Sequence, residues 1–93
     1  MSDYTIEFTK AAKKQFEKLP NDIKSRFFGK IDLLRKDPKP NGIEKLTDFE
    51  LEDTFFKSLY RIRVGDYRVV YAIEDNIVTI TIVRIKHRRE VYG

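Results

Sequence analysis

Leu59-Tyr60-Arg61-Ile62-Arg63-Val64-Gly65-Asp66-Tyr67-Arg68-Val69-Val70-Tyr71 is the stretch on which the fold turns. Apolar and charged residues alternate on either side of Gly65-Asp66, the pattern of two strands joined by a two-residue turn. Glycine in the first place suits a type II′ turn, whose first central residue needs a positive φ. Strand character begins at Phe56 and, beyond the turn, runs to Glu74. Asp75-Asn76 reads as a second turn, and Ile77 to Ile85, rich in Ile, Val and Thr, as a third strand. The expected unit is an antiparallel three-strand meander.

Working back towards the start, Tyr4 to Phe8 alternates with Tyr4, Ile6 and Phe8 on one face and reads as a first strand. Thr9 suits the N-cap of a helix from Lys10 to Leu19, where Ala12, Phe16 and Leu19 form one apolar stripe. Pro20 ends that helix and can open the next, Asn21 to Lys36, whose stripe is Ile23, Phe27, Ile31 and Leu34. The tight Leu19-Pro20-Asn21 joint makes the pair an αα-hairpin. Asp37-Pro38-Lys39-Pro40-Asn41-Gly42 breaks the pattern. Ile43 to Thr54 is the least legible part, and Asp48 to Asp53, alternating acid with apolar, suits a short strand or a loop. The fold class expected is α+β with two layers. The N-terminal strand and the αα-hairpin pack on a mainly antiparallel sheet that ends in the meander, as a single domain over residues 1–93.

Composition narrows the function. The chain has 93 residues, 41% of them hydrophobic and 13% aromatic, which excludes a disordered or collagen-like chain. Cysteine is absent, so there is no disulfide scaffold, thiol nucleophile or cysteine-held metal. A single histidine cannot build a usual zinc site, and no glycine-rich phosphate loop or Ser/His/Asp order occurs, so any catalysis is expected to be metal-free and without a cofactor. No apolar run reaches the ~18 residues of a membrane span, and no leader pattern opens the chain. A cytoplasmic protein is expected. Up to Phe56 the chain carries 11 basic and 11 acidic residues, whereas from Lys57 onwards it carries 8 basic and 4 acidic. The whole excess of +4 therefore lies in the last third, and most of it is arginine, whose donor fork suits phosphate.

The hairpin register assigns faces. Val64 faces Tyr67, Arg63 faces Arg68, Ile62 faces Val69 and Arg61 faces Val70, and opposed residues share a side of the sheet. One side gathers Tyr60, Ile62, Val64, Tyr67, Val69, Tyr71 and Ile73. Carrying the pairing across Asp75-Asn76 adds Val78, Ile80 and Ile82, giving the helix-covered core. The other side holds Arg61, Arg63, Arg68, Val70, Ala72, Thr79, Thr81, Val83, Ile85 and, if the strand runs on, His87. Arg63 opposite Arg68 is a like-charge pair, destabilising unless an anion lies near. That anion is either a bound phosphate or an acid of the chain such as Glu50, Glu52 or Asp53. His87, the only histidine, is a candidate general acid or base beside Lys86, Arg88 and Arg89, or else an ordinary surface residue. Tyr92 can stack on a base or donate a hydrogen bond, or it closes the end of the core.

The Leu59 to Tyr71 run, followed by His87-Arg88-Arg89-Glu90-Val91-Tyr92, resembles the RelE/ParE toxin family of type II toxin–antitoxin systems. The Thr9-Lys10-Ala11-Ala12 opening and the Leu19-Pro20 joint fit the same family. The likeness runs along nearly the whole chain and is weakest from Ile43 to Phe56. The motifs are shared by both branches. The dense arginine face and His87 favour the RelE branch, whose members are mRNA interferases that enter the ribosomal A site and cut the codon there. Position by position, the likeness implies a catalytic set of Arg61, Arg63, Arg68, Lys86 or His87, and Tyr92, with Lys57, Lys86, Arg88 and Arg89 as further RNA contacts. The best-known ribosome-dependent members have Lys where this chain has Arg61 and Arg63, so proton transfer is expected to pass to His87. The implied reaction is attack of the 2′-OH on the adjacent phosphate, leaving a 2′,3′-cyclic phosphate and a 5′-OH. The implied partners are a cognate antitoxin that folds over the basic face, the ribosome and its mRNA, and operator DNA only through the antitoxin complex. The other branch gives the alternative, a ParE-like toxin that poisons DNA gyrase without chemistry of its own. A third possibility is a degenerate member that only binds its antitoxin and DNA.

Overall fold

The computed structural model describes residues 3–40, 43–46 and 59–92. Its elements are β1 (Thr5–Phe8), α1 (Lys10–Glu17), α2 (Asn21–Lys36), β2 (Glu44–Lys45), β3 (Leu59–Val64), β4 (Tyr67–Glu74), a 3-10 turn (Asp75–Ile77), β5 (Thr79–His87) and α3 (Arg88–Tyr92). The strands form one sheet in the order β1-β5-β4-β3-β2, with β1 parallel to β5 and the other pairs antiparallel. This is the α+β arrangement expected. Asp48 to Asp53, the ambiguous acidic stretch, lies outside the described residues. No described helix is long and apolar enough to cross a membrane.

Both helices form where the period placed them. Thr9 caps α1, its hydroxyl oxygen accepting from the Ala12 amide at 3.1 Å. α1 ends at Glu17, two residues before the expected end, and the amides of Lys18 and Leu19 tighten back onto the carbonyls of Gln15 and Phe16. In α2 the stripe Ile23, Phe27, Ile31 and Leu34 is buried, as are Ala12 and Leu19. Opposite them lie Tyr60, Val64, Val69, Tyr71, Ile80, Ile82 and Ile85 of the sheet. Each large apolar side chain so covered contributes about 1.5–3 kcal/mol. Phe27 sits at the centre of a ring cluster, with Phe16 at 5.1 Å and Phe8 at 5.9 Å.

The β3–β4 register is the expected one, from Leu59↔Ala72 to Val64↔Tyr67. Gly65 has φ +59°, and a Cβ at that position would lie 3.0 Å from Ile23 Cδ1 of α2. Glycine is required there both by the turn and by the helix lying on it.

β5 departs from the expectation in two ways. The second turn is longer than two residues, so β5 begins at Thr79, and Val78 is not in the core. It is 38% exposed and left-handed, at φ 49°. The longer turn shifts the pairing by two residues, which preserves faces, and Ile80 and Ile82 remain in the core. A bulge then breaks the register between Val70 and Tyr71, leaving Val83 as the extra residue between Tyr71↔Ile82 and Val70↔Arg84. Beyond it every side chain changes face. Ile85 and His87, expected beside the arginines, are opposite Val69 and Tyr67 on the helix-covered side, while Arg84 and Lys86 point to the other. The physical reason is charge. Without the bulge, Arg84 and Lys86 would share a face with Ile80 and Ile82 beneath the helices, and burying unpaired cations costs several kcal/mol each, on the order of the effective penalty for an ion removed from water.

Helix α1 holds the bulge in place. The Thr9 hydroxyl donates to the Val83 carbonyl at 2.8 Å, and Gln15 Oε1 accepts the Ile85 amide at 2.7 Å. These two bonds satisfy backbone groups that the interrupted ladder leaves open.

Tyr71 packs at the centre of the sheet with its hydroxyl donating to the Pro38 carbonyl at 2.9 Å. Burial, with Tyr60 and Asp37 beside it, raises its phenol above the ordinary value of 10.0. A group raised on folding contributes stability that is complete below its unfolded value and lost as the pH climbs past it. The wild type is therefore expected to lose stability above about pH 10 more steeply than Tyr71→Phe. Urea midpoints of the two proteins at neutral pH and in strong alkali measure the difference.

Candidate nucleic-acid interface

The side of the sheet away from α1 and α2 carries two cross-strand rows. In the first, Arg63 of β3, Arg68 of β4 and Lys86 of β5 stand side by side. In the second, Arg61 and Arg84 flank Val70. Adjacent strands lie about 4.8 Å apart, so the five cations occupy a patch about two strand spacings wide. Directly opposed like charges destabilise a sheet, and this face opposes three in one row.

The surroundings of each cation differ. Arg61 is held by Glu44, the Arg61 Nη2 donating to both carboxylate oxygens at 2.8 and 2.7 Å. Glu44 reaches it because β2 pairs Glu44 directly with Arg61. Glu50, Glu52 and Asp53, the acids considered from sequence, lie outside the described residues. Arg68 is buried, 8% exposed, and its Nη1 donates to the main-chain carbonyls of Tyr67 at 3.2 Å and Gly65 at 3.5 Å. The turn thus fixes the guanidinium before any ligand arrives. Arg63 is exposed, and Arg84 and Lys86 are half-buried. At the far end the same face becomes apolar, where Leu46, Leu59 and Ala72 cluster with Val70 and Val83.

Three expected site residues, Arg61, Arg63 and Arg68, are brought together, and Lys86 joins them. His87 is not on this face. Its ring packs edge-on against Tyr67 at 5.1 Å on the helix-covered side, and its Nδ1 accepts the Arg89 amide at 3.2 Å. Arg88 and Arg89 are exposed on α3, where the Arg88 amide donates to the Asp66 carbonyl at 2.7 Å. Tyr92 closes α3, but its side chain, like the whole of Lys57, lies outside the described residues. Two residues were missed from sequence. Arg84 is signalled by the break in alternation at Ile82-Val83, where two apolar residues follow one another. Glu44 carries no local signal, since its role depends on a pairing between distant segments.

A row of arginines beside a lysine, set on one face of a sheet, is chemistry for a chain of phosphates. Comparison with known proteins gives the family. The ParE toxin family of type II toxin–antitoxin systems, parDE, matches residues 6–92. The chain belongs to the RelE/ParE toxin family. It is therefore a toxin of a type II toxin–antitoxin system. Toxin RelG of Mycobacterium tuberculosis (strain ATCC 25618 / H37Rv) is 35% identical over 91 residues, covering 96% of this chain and 95% of that one. Among solved structures, the archaeal RelE–RelB complex of Pyrococcus horikoshii OT3 superposes with a TM-score of 0.76 at 31% identity, covering 92% of this chain and 96% of that chain. The isolated RelE toxin of E. coli shares the fold with a TM-score of 0.74 at 24% identity, over 96% of this chain and 90% of its own. A RelE/ParE fold thus carries the cationic face on the side of its sheet away from α1 and α2.

Proposed function

We propose that this toxin is an endoribonuclease that cuts mRNA on the ribosome by transesterification through the RNA's own 2′-OH. The observation that carries the reading is the pair of cationic rows, Arg63-Arg68-Lys86 and Arg61-Val70-Arg84, assembled from three strands. In the reaction the 2′-OH gives its proton to solvent as its oxygen bonds to phosphorus, the bond from phosphorus to the 5′-oxygen breaks, and negative charge grows on the phosphoryl oxygens between. Fixed guanidinium donors stabilise that charge most where they need not reorganise, and Arg68 is fixed by the hairpin turn. Arginine does not give up a proton in proteins. Among the described residues, Lys86 is the one cation of the face that can, and it takes the role of acid to the leaving 5′-oxygen. Arg61, Arg63 and Arg84 hold flanking phosphates, and Arg88 and Arg89, exposed on α3, add cations beyond the end of β5. The ribosome supplies alignment of the message.

A cognate antitoxin is the natural counterpart, as RelB is for the RelE of P. horikoshii. Two features suit an acidic, amphipathic segment that orders on binding. One is the cationic face. The other is an apolar groove of about 630 Å³ at the edge of β1, lined in part by Ile6, Phe8, Phe16 and Phe28. A second reading, gyrase poisoning without chemistry, draws on the family description, which is that of ParE.

Primer extension on a translated mRNA with purified ribosomes separates the two. Cuts within codons, dependent on ribosomes, are expected. An uncut message together with trapped gyrase–DNA complexes decides for the second reading.

Glu44 gives a separate check. It occupies Arg61 through one guanidinium nitrogen, Nη2, shared between both carboxylate oxygens, and so competes there with a phosphate. Glu44→Gln is expected to tighten binding of a short single-stranded RNA. It also steepens the dependence of log K on log salt by about 0.7, the increment of one added phosphate contact on a single strand. Fluorescence anisotropy across a salt series reads both.

A further inference from the structure

We infer that His87 is a positioning residue whose imidazole caps α3 and holds that helix against the β3–β4 hairpin, and that it transfers no proton in the reaction. The role in cleavage rests on the nuclease reading above, whereas the cap itself does not. His87 is the last residue of β5, paired with Tyr67, and the bulge has turned it to the side of the sheet away from Arg68 and Lys86. Its ring meets Tyr67 edge-on, at 5.1 Å and 82°. Its Nδ1 accepts the Arg89 amide at 3.2 Å. The preceding amide, that of Arg88, donates to the Asp66 carbonyl at 2.7 Å. The first two amides of α3 are thus bonded in turn to the hairpin and to the imidazole.

Those anchors matter because α3 has only five residues. A helix that short has no stability of its own, and its first amides have no partner within it. Its direction, and with it the placement of Arg88, Arg89 and Tyr92, follows from what holds its first turn. An imidazole accepting at Nδ1 carries its neutral-state proton on Nε2. To reach a phosphate bound by Arg63, Arg68 and Lys86, the ring would have to leave both Tyr67 and Arg89. Proton transfer and capping are therefore alternatives, and the geometry has taken the cap.

Two substitutions separate them. His87→Asn keeps a neutral side-chain acceptor of the kind that caps helices but has no proton to exchange near neutral pH, whereas His87→Ala keeps neither. In cleavage of ribosome-bound message, His87→Asn is expected within about threefold of wild type, and His87→Ala slower by about fivefold or more, the ratio typical of one lost cap. The loss falls on kcat with KM little changed. A drop of about 100-fold or more in both variants, as removal of a general acid or base produces, overturns the inference and returns proton transfer to His87.

Amide hydrogen exchange on the free toxin tests the cap without any nuclease assay. The Arg89 amide is expected to exchange several-fold faster in His87→Ala than in wild type, with His87→Asn restoring protection. Equal exchange in wild type and His87→Ala overturns the inference. If the wild type cuts no message, the nuclease reading falls, and the exchange comparison alone decides the cap.

Discussion

Replacing Arg68 by alanine is expected to slow cleavage of ribosome-bound mRNA by about 100- to 1000-fold, the cost of losing one pre-set donor to a developing oxyanion. Arg68 stands at the middle of the row Arg63-Arg68-Lys86 and is the most buried of the five cations. Burial strengthens its field at the phosphate, since less water screens it. Its guanidinium is also aimed in advance, by the carbonyls of Tyr67 and Gly65. Arg68→Lys keeps the charge but not the planar fork, and recovers only part of the rate. Both variants remain folded, because Arg68 has no part in the main apolar core. Single-turnover cleavage measured beside thermal melting checks the two statements together. A normal rate for Arg68→Ala removes the cationic face from the chemistry.

The second large effect comes from helix α1, whose side chains hold the strand residues on either side of Arg84. Thr9→Val and Gln15→Leu each remove one bond that pins the bulge, leaving the Val83 carbonyl or the Ile85 amide without its partner. An orphaned, part-buried backbone group costs about 1–3 kcal/mol, and Thr9→Val adds about 1 kcal/mol for the lost helix cap. Each variant is expected to melt lower by roughly 4–8 °C per kcal/mol, the scale for a domain of this size. Cleavage should fall more than stability explains, because the bulge sets the face of Arg84 and Lys86. Thr9→Ser and Gln15→Glu retain the oxygen acceptors, and Ser also retains the hydroxyl donor, so they serve as controls. Melting curves and cleavage at a temperature where all variants are folded distinguish lost stability from lost placement. Loss of activity in proportion to unfolding would count against a positioning role for the bulge.

The same bulge marks where the sequence is legible and where it is not. Helices α1 and α2 announce themselves by period, cap and proline, because each signal is local and repeated. The β3–β4 register follows from one glycine turn, and that register alone puts Arg61, Arg63 and Arg68 on one face. β5 is harder, because a single extra residue reverses every face beyond it and a strictly alternating strand gives no warning. The warning is energetic. Regular alternation puts Arg84 and Lys86 beneath the helices, and the doubled apolar pair Ile82-Val83 is where the chain avoids it. Without that step His87 and Ile85 fall on the wrong face and Arg84 is overlooked. Glu44 is illegible for another reason, since its pairing with Arg61 depends on β2, a strand of two residues with no pattern of its own. Thr9 reads as a cap, but its second bond, to Val83, joins residues 74 positions apart and leaves no trace in either segment.

The claim on which the account depends is that the bulge makes β5 part of an RNA-cutting face. It is tested most directly by single-turnover cleavage of message on programmed ribosomes, comparing wild type with Arg84→Ala and Lys86→Ala and analysing the ends of the products. Wild type is expected to leave a 2′,3′-cyclic phosphate and a 5′-OH. Lys86→Ala is expected to slow cleavage by about 100-fold or more, as loss of a general acid does. Arg84→Ala weakens binding of the message more than it slows the cut. Wild-type rates in both variants, from an enzyme that still cuts, would contradict the account.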